Sequence, residues 1–119
     1  MMATIGPRPE KLSFMVIEEL RFRVDPIDQP EFLRVEHDVW TGFLRTCDGF
    51  VAKETWIPED EPDFVIVMIW WNSMEQWKAI TVEQCDAIDA RMGQWLRPVA
   101  FSRAHNLIRS EPGRPGVQP

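Results

Sequence analysis

The side chains of this 119-residue chain that are equipped for chemistry are few, and their places are informative. Glu18 interrupts an apolar alternation formed by Val16, Leu20, Phe22 and Val24. Burial penalises the ionised form of such a carboxyl, which suits it to act as a base or as a ligand anchor. The competing reading is a structural ion pair with Arg103 or His105, which share one face of a later strand. The two histidines, His37 and His105, titrate near neutrality by default. His37 flanks a helical apolar stripe and His105 stands between Arg103 and Leu107 in alternation, and either also reads as a structural or surface histidine. Six Trp and no Tyr supply flat apolar surface for a planar guest. Trp40 and Trp95 lie on helical stripes and read as core; Trp71, at the end of an apolar run, has the better claim to a cavity wall. The expected site is therefore Glu18 and His105 as catalytic groups, with Trp40, Trp71, His37 and Arg103 as ligand-binding groups. Cys47 and Cys85 read as small core residues of a reducing compartment. With the two Cys and two His far apart, no zinc-type spacing exists and no metal is expected. There is no glycine-rich phosphate loop, no nucleophile elbow and no paired-carboxylate spacing.

These groups need elements to hold them. Met15 to Val24 alternates and reads as a first strand, with Met15, Ile17, Glu19, Arg21 and Arg23 on the face opposite Glu18. Asp25-Pro26-Ile27-Asp28 is a turn. A helix then opens at Asp28 or Gln29, with Pro30 suited to its first turn. Phe32, Val35, Val39, Trp40, Phe43 and Leu44 make its apolar stripe, and Gly49 can take a left-handed cap. Phe50 to Ile57 is a second strand, with Phe50, Ala52, Glu54 and Trp56 assigned to one face. An acidic loop, Pro58 to Asp63, leads to the third strand, Phe64 to Trp71. Ser73-Met74-Glu75-Gln76 and Thr81-Val82-Glu83-Gln84 are capping boxes for two successive helices, the second carried through Ile88, Met92, Trp95 and Leu96 to a stop at Arg97-Pro98. Val99 to Ile108 is a fourth strand.

The order strand, helix, strand, strand, helix pair, strand predicts an α+β, ferredoxin-like βαββααβ domain with an antiparallel sheet over residues 14–108. Residues 1–13 and 109–119, rich in Pro and Gly, read as a flexible arm and tail. Helices cover one face of such a sheet. The run Phe64-Val65-Ile66-Val67-Met68-Ile69-Trp70-Trp71 has no polar alternation, so its second face also needs cover. A homodimer with sheets packed face to face supplies it.

Composition narrows the partners. Net charge is −6 with a pI near 4.9, and no basic stripe is present, which speaks against nucleic acid. No apolar run approaches the roughly 18 residues of a membrane span, and residues 1–13 lack an apolar signal core. A cytoplasmic location, no membrane partner, no cofactor and one small hydrophobic ligand are the expectations.

The apolar strand followed by Trp71-Asn72-Ser73-Met74-Glu75-Gln76-Trp77 resembles a segment of the dimeric α/β-barrel superfamily that reads W-x-S-x-x-x-[FW]. Val16 to Val24 and the Cys47-Asp48-Gly49-Phe50 helix exit are similar to its antibiotic-biosynthesis-monooxygenase type. The resemblance covers roughly residues 14–108 and implies a dimeric α/β barrel. It leaves function broad, because members include cofactor-free quinone-forming monooxygenases and haem degraders. Trp71 matches a pocket Trp of the haem degraders. Their first-strand Asn is replaced by Glu18 or Glu19, and the region of Thr81 to Gln84 lacks their axial His. Three readings follow: a homodimeric binding or structural protein, a cofactor-independent monooxygenase acting on an aromatic or quinol-type substrate with Glu18 or a His as base, and haem binding.

Overall fold

The computed structural model describes residues 14–111, so the expected N-terminal arm and most of the expected tail lie outside the described residues. Four strands, β1 (Met15–Arg23), β2 (Phe50–Trp56), β3 (Phe64–Trp71) and β4 (Val99–Leu107), form one antiparallel sheet in the order β2-β3-β1-β4. Helix α1 covers residues 29–44, α2 is Met74–Lys78 and α3 is Val82–Ala90. This is the expected α+β, ferredoxin-like βαββααβ arrangement. None of the helices among the described residues is long and apolar enough to cross a membrane.

Local chemistry sets the boundaries. Gln29 opens α1 next to Pro30, and its buried amide donates to Val24 O at 3.0 Å and to Pro62 O at 2.6 Å, tying the helix start to two loops. Gly49 ends the α1–β2 connection at φ 87°, where a Cβ would meet the Gln76 side chain. Ser73 caps α2, accepting from Gln76 N at 3.1 Å. Thr81 and Gln84 form a reciprocal capping box on α3. The expected single helix to Leu96 instead stops at Ala90. Gly93, at φ 59°, breaks the ladder, and only a 3-10 turn, Gly93–Trp95, follows.

The core lies between one sheet face and the helices. Val65, Val67, Ile69 and Trp71 of β3 meet Phe32, Val39 and Leu44 of α1, with Ile88 and Met92 from the α3 region. A bulge at Phe50–Val51 changes the expected face of Phe50. Phe50 pairs with Trp71 and Ala52 with Trp70, so Phe50 joins Lys53 and Thr55 on the helix side. Its ring meets Trp71 edge-on at 6.1 Å.

On the opposite face, Ile66 and Met68 are only 6% and 7% exposed within the single chain. Neighbouring strands explain this. Met68 lies between Glu19 and Glu54, and Ile66 between Arg21 and Trp56. The large apolar side chains Trp56 and Phe101 stay open on that face, 45% and 38% exposed.

Candidate functional site

Between the helix-side face of the sheet and the helical layer is a cavity of about 630 Å³. β1 and β3 build its floor from Glu18, Leu20, Phe22, Val67, Ile69 and Trp71. Phe32 and Trp40 of α1 face them, as do Cys85 and Asp89 of α3, while Trp77 and Lys78 close one end and Arg97 and Val99 the other. Alternation puts Glu18 there: it falls between Val16 and Leu20 on the side that the helices cover. Size and mostly apolar lining suit a small planar molecule.

Glu18 is held rather than paired with a cation. Its Oε1 accepts from Trp71 Nε1 at 3.2 Å. Burial pushes its carboxyl above the usual range, against the opposing pull of the Trp71 hydrogen bond and the Lys78 charge. A carboxyl raised in this way is a stronger base than an exposed one, which suits a general base or a hydrogen-bonding anchor.

A second carboxyl repeats the arrangement across the cavity. Asp89 Oδ1 accepts from Trp40 Nε1 at 3.1 Å. Burial lifts its carboxyl, opposed by that hydrogen bond, with the Asp86 charge adding to the rise. Burial also raises the thiol of Cys85, which keeps it protonated and poorly nucleophilic.

A third lining carboxyl, Glu36, belongs to a buried ion pair. Lys53 Nζ donates to Glu36 Oε1 and, at 2.8 Å, to Thr41 Oγ1. Both charged side chains are under a tenth exposed. Glu36 and Thr41 are five residues apart and would point away from each other on an α-helix. They share a face here because His37–Thr41 is π-helical.

The structure divides the expected site. Glu18, Trp40 and Trp71 converge on the cavity. His105 and Arg103 do not. They pair with Ile17 and Glu19, so they lie on the other face of the sheet. There His105 Nε2 is 2.8 Å from Glu19 Oε1, and Arg21 Nε donates to Glu19 Oε2 at 2.8 Å. These bonds, His105 first, hold the Glu19 carboxyl below the usual range. Of the expected ion-pair partners of Glu18, His105 thus bonds its neighbour Glu19, and the Arg103 guanidinium lies over the Phe101 ring at 4.9 Å. His37 is exposed and borders a shallow groove with Arg45, Lys53 and Thr55. No histidine lines the cavity. Asp89, Glu36 and Lys53 were not among the expected site residues. Asp89 had a weak signal in sequence, lying four residues after Cys85 on its helix. The Glu36–Lys53 pair had none, because it depends on the β-bulge and the π-helical turn.

No protein-family model matches the sequence, and no curated protein matches it. Solved structures do. A variant of SnoaB, a cofactor-independent oxygenase from Streptomyces nogalater, is 16% identical with a TM-score of 0.63, covering 85% of this chain and all of its own. A protein provisionally named an antibiotic biosynthesis monooxygenase, from Caulobacter crescentus CB15, is 19% identical with a TM-score of 0.60 over 83% of this chain and 92% of its own. Rv0793 from Mycobacterium tuberculosis is 17% identical with a TM-score of 0.58 over 81% and 97%. At such identities the likeness establishes the fold: the chain has the architecture of the antibiotic biosynthesis monooxygenases.

Proposed function

We propose that this protein is a homodimer that binds a planar, mostly apolar molecule bearing a hydroxyl group in the helix-side cavity, with Glu18 as its polar anchor. The observation that carries the reading is the Glu18 carboxyl, part-buried in the lining of the cavity and oriented by the Trp71 indole. A phenolic O–H donates to that carboxyl while the half-buried Trp40 flanks the ring and the buried Trp71 backs Glu18. Titration with planar phenols, followed by the fluorescence of the cavity Trp residues, tests it. Micromolar binding should weaken about tenfold in Glu18→Gln, the scale of one charge-assisted hydrogen bond. Absence of binding, or equal affinity in Glu18→Gln, overturns the assignment.

A second reading, cofactor-independent oxygenation, is favoured by the raised carboxyl of Glu18 and by the fold shared with SnoaB. Glu18 takes the phenolic proton, and the electron-rich ring then reduces dioxygen. One oxygen atom becomes the second carbonyl of a quinone. The other leaves as water with the O–H and para C–H hydrogens, so no added reductant is needed. An oxygen electrode with phenols and quinols should register uptake that Glu18→Gln abolishes; uptake unchanged by that variant removes Glu18 as the base.

The dimer is supported by the sheet face opposite the cavity, where Trp56 and Phe101 stay open to solvent beside Ile66 and Met68. Light scattering at micromolar concentration should give twice the 13.9 kDa chain mass, and a mass of one chain would remove the dimer.

A further inference from the structure

Of the three carboxyls that line the cavity, Glu36 is paired with Lys53, and the other two are built alike. Glu18 offers Oε1 to the Trp71 indole and Asp89 offers Oδ1 to the Trp40 indole. Among the described residues no side-chain hydrogen bond reaches the second oxygen of either. Glu18 stands on the sheet and Asp89 on α3, so the two free acceptors belong to opposite layers of one cavity. Cys85 lines the same cavity, and the charges of both carboxyls act on its thiol. The surroundings are apolar at Leu20, Ile69, Ile80 and Met92.

A ligand with one donor satisfies one layer and leaves a desolvated acceptor at the other. Lys78 and Arg97 also line the cavity and oppose a cationic guest, while the two carboxyls oppose an anionic one. What remains is a neutral guest with donors on two separated edges. We propose that Asp89 is a specificity-determining residue of this cavity, selecting planar aromatic diols over the corresponding mono-ols. The inference rests on the cavity being the ligand site, as set out above.

Calorimetric titration of the full-length protein at pH 8 with three probes tests it: 1-naphthol, 1,5-dihydroxynaphthalene and 5-methoxy-1-naphthol. The diol should bind about tenfold more tightly than 1-naphthol, the scale of one hydrogen bond to a charged group. The methoxy compound, whose second oxygen only accepts, should gain nothing. Asp89→Asn retains an oxygen for the Trp40 indole and turns the free acceptor into a donor. It should therefore erase the advantage of the diol over the methoxy compound, since both second oxygens can accept from the new amide. A diol no tighter than 1-naphthol overturns the proposal, as does an equal loss for all three probes in Asp89→Asn, which would mark a purely structural residue. Should Asp89→Asn fail to fold, the wild-type ranking of diol against methoxy compound decides. If 1-naphthol does not bind, or binds Glu18→Gln equally well, the ligand-site assignment itself fails, and the selectivity with it.

Discussion

Glu18 and Glu19 are adjacent in the chain and point to opposite faces of β1. One faces a cavity, is bonded to an indole, and has its carboxyl pushed up by burial. The other is 7% exposed on the open face, bonded by His105 and Arg21, and has its carboxyl pulled down. Burial alone does not set the direction. Charge-bearing donors win on the open face, and desolvation wins where the donor is a neutral N–H. A pleat thus sorts two identical side chains into opposite electrostatic environments.

The largest effect that separates the two faces comes from apolar positions. Val67→Asp puts an unpaired charge into the helix-side core, where Val67 is 1% exposed, and should cost about 4–5 kcal/mol or more, read as loss of the folded circular dichroism signal. Phe101→Glu on the open face should keep the fold and shift the scattering mass from two chains to one. If Phe101→Glu unfolds the chain, or Val67→Asp is tolerated, the two faces do not differ as described.

Lys53→Met is next in size. It strands the buried Glu36 carboxylate in the cavity wall and should lower stability by about 3–5 kcal/mol in urea titration. Arg21→Met, at the half-exposed ion pair with Glu19 on the open face, should cost about 1 kcal/mol or less. Equal costs would show that the Glu36–Lys53 pair is hydrated.

The smallest effect is the most direct test of the two glutamates. Glu18 has a raised carboxyl, so it favours folding when protonated and opposes it increasingly as pH rises through its folded value. Glu18→Gln should therefore be more stable than the wild type by about 1 kcal/mol at pH 8 and equal to it in acid. Glu19 has a lowered carboxyl, whose contribution is present above its unfolded value and is lost as pH falls through the folded one. Glu19→Gln should be less stable by about 1 kcal/mol at pH 8, with the difference vanishing in acid. Urea midpoints at the two pH values read both signs, and equal signs for the two variants would break the contrast.

Period-2 and period-3.6 patterning carried most of the fold: the strand and helix order, the helix-side face of β1, and the caps at Ser73 and Thr81 were all legible. Glu18 and Trp71 were legible as neighbours of a cavity because each sits at a defined phase of a strand. His105 was misplaced because alternation within a strand does not fix the register between strands. The pairing of Ile17 with His105 puts the imidazole on the Glu19 side. Phe50 changed face through a bulge, and α3 stopped at Ala90 through a glycine turn. Both are one-residue irregularities that periodicity averages away. Asp89 became visible only once α1 and α3 were packed together, since its partner Trp40 is 49 residues distant.

The π-helical turn of α1 lets the helix carry one surplus residue without re-aiming the cavity. Glu36 precedes the turn, and Trp40 and Thr41 lie within it; the wider winding keeps Glu36 and Thr41, five positions apart, on one face. Deleting Asp38, an exposed position in the turn, would leave the two four positions apart, the spacing that shares a face in ordinary α-helical winding. The shortened helix should keep its circular dichroism signal, the contact of Thr41 with Lys53 and the fluorescence of a Trp40 still bonded to Asp89. The turn is thus a place where chain length can change by one residue while the side chains that line the pocket keep their aim.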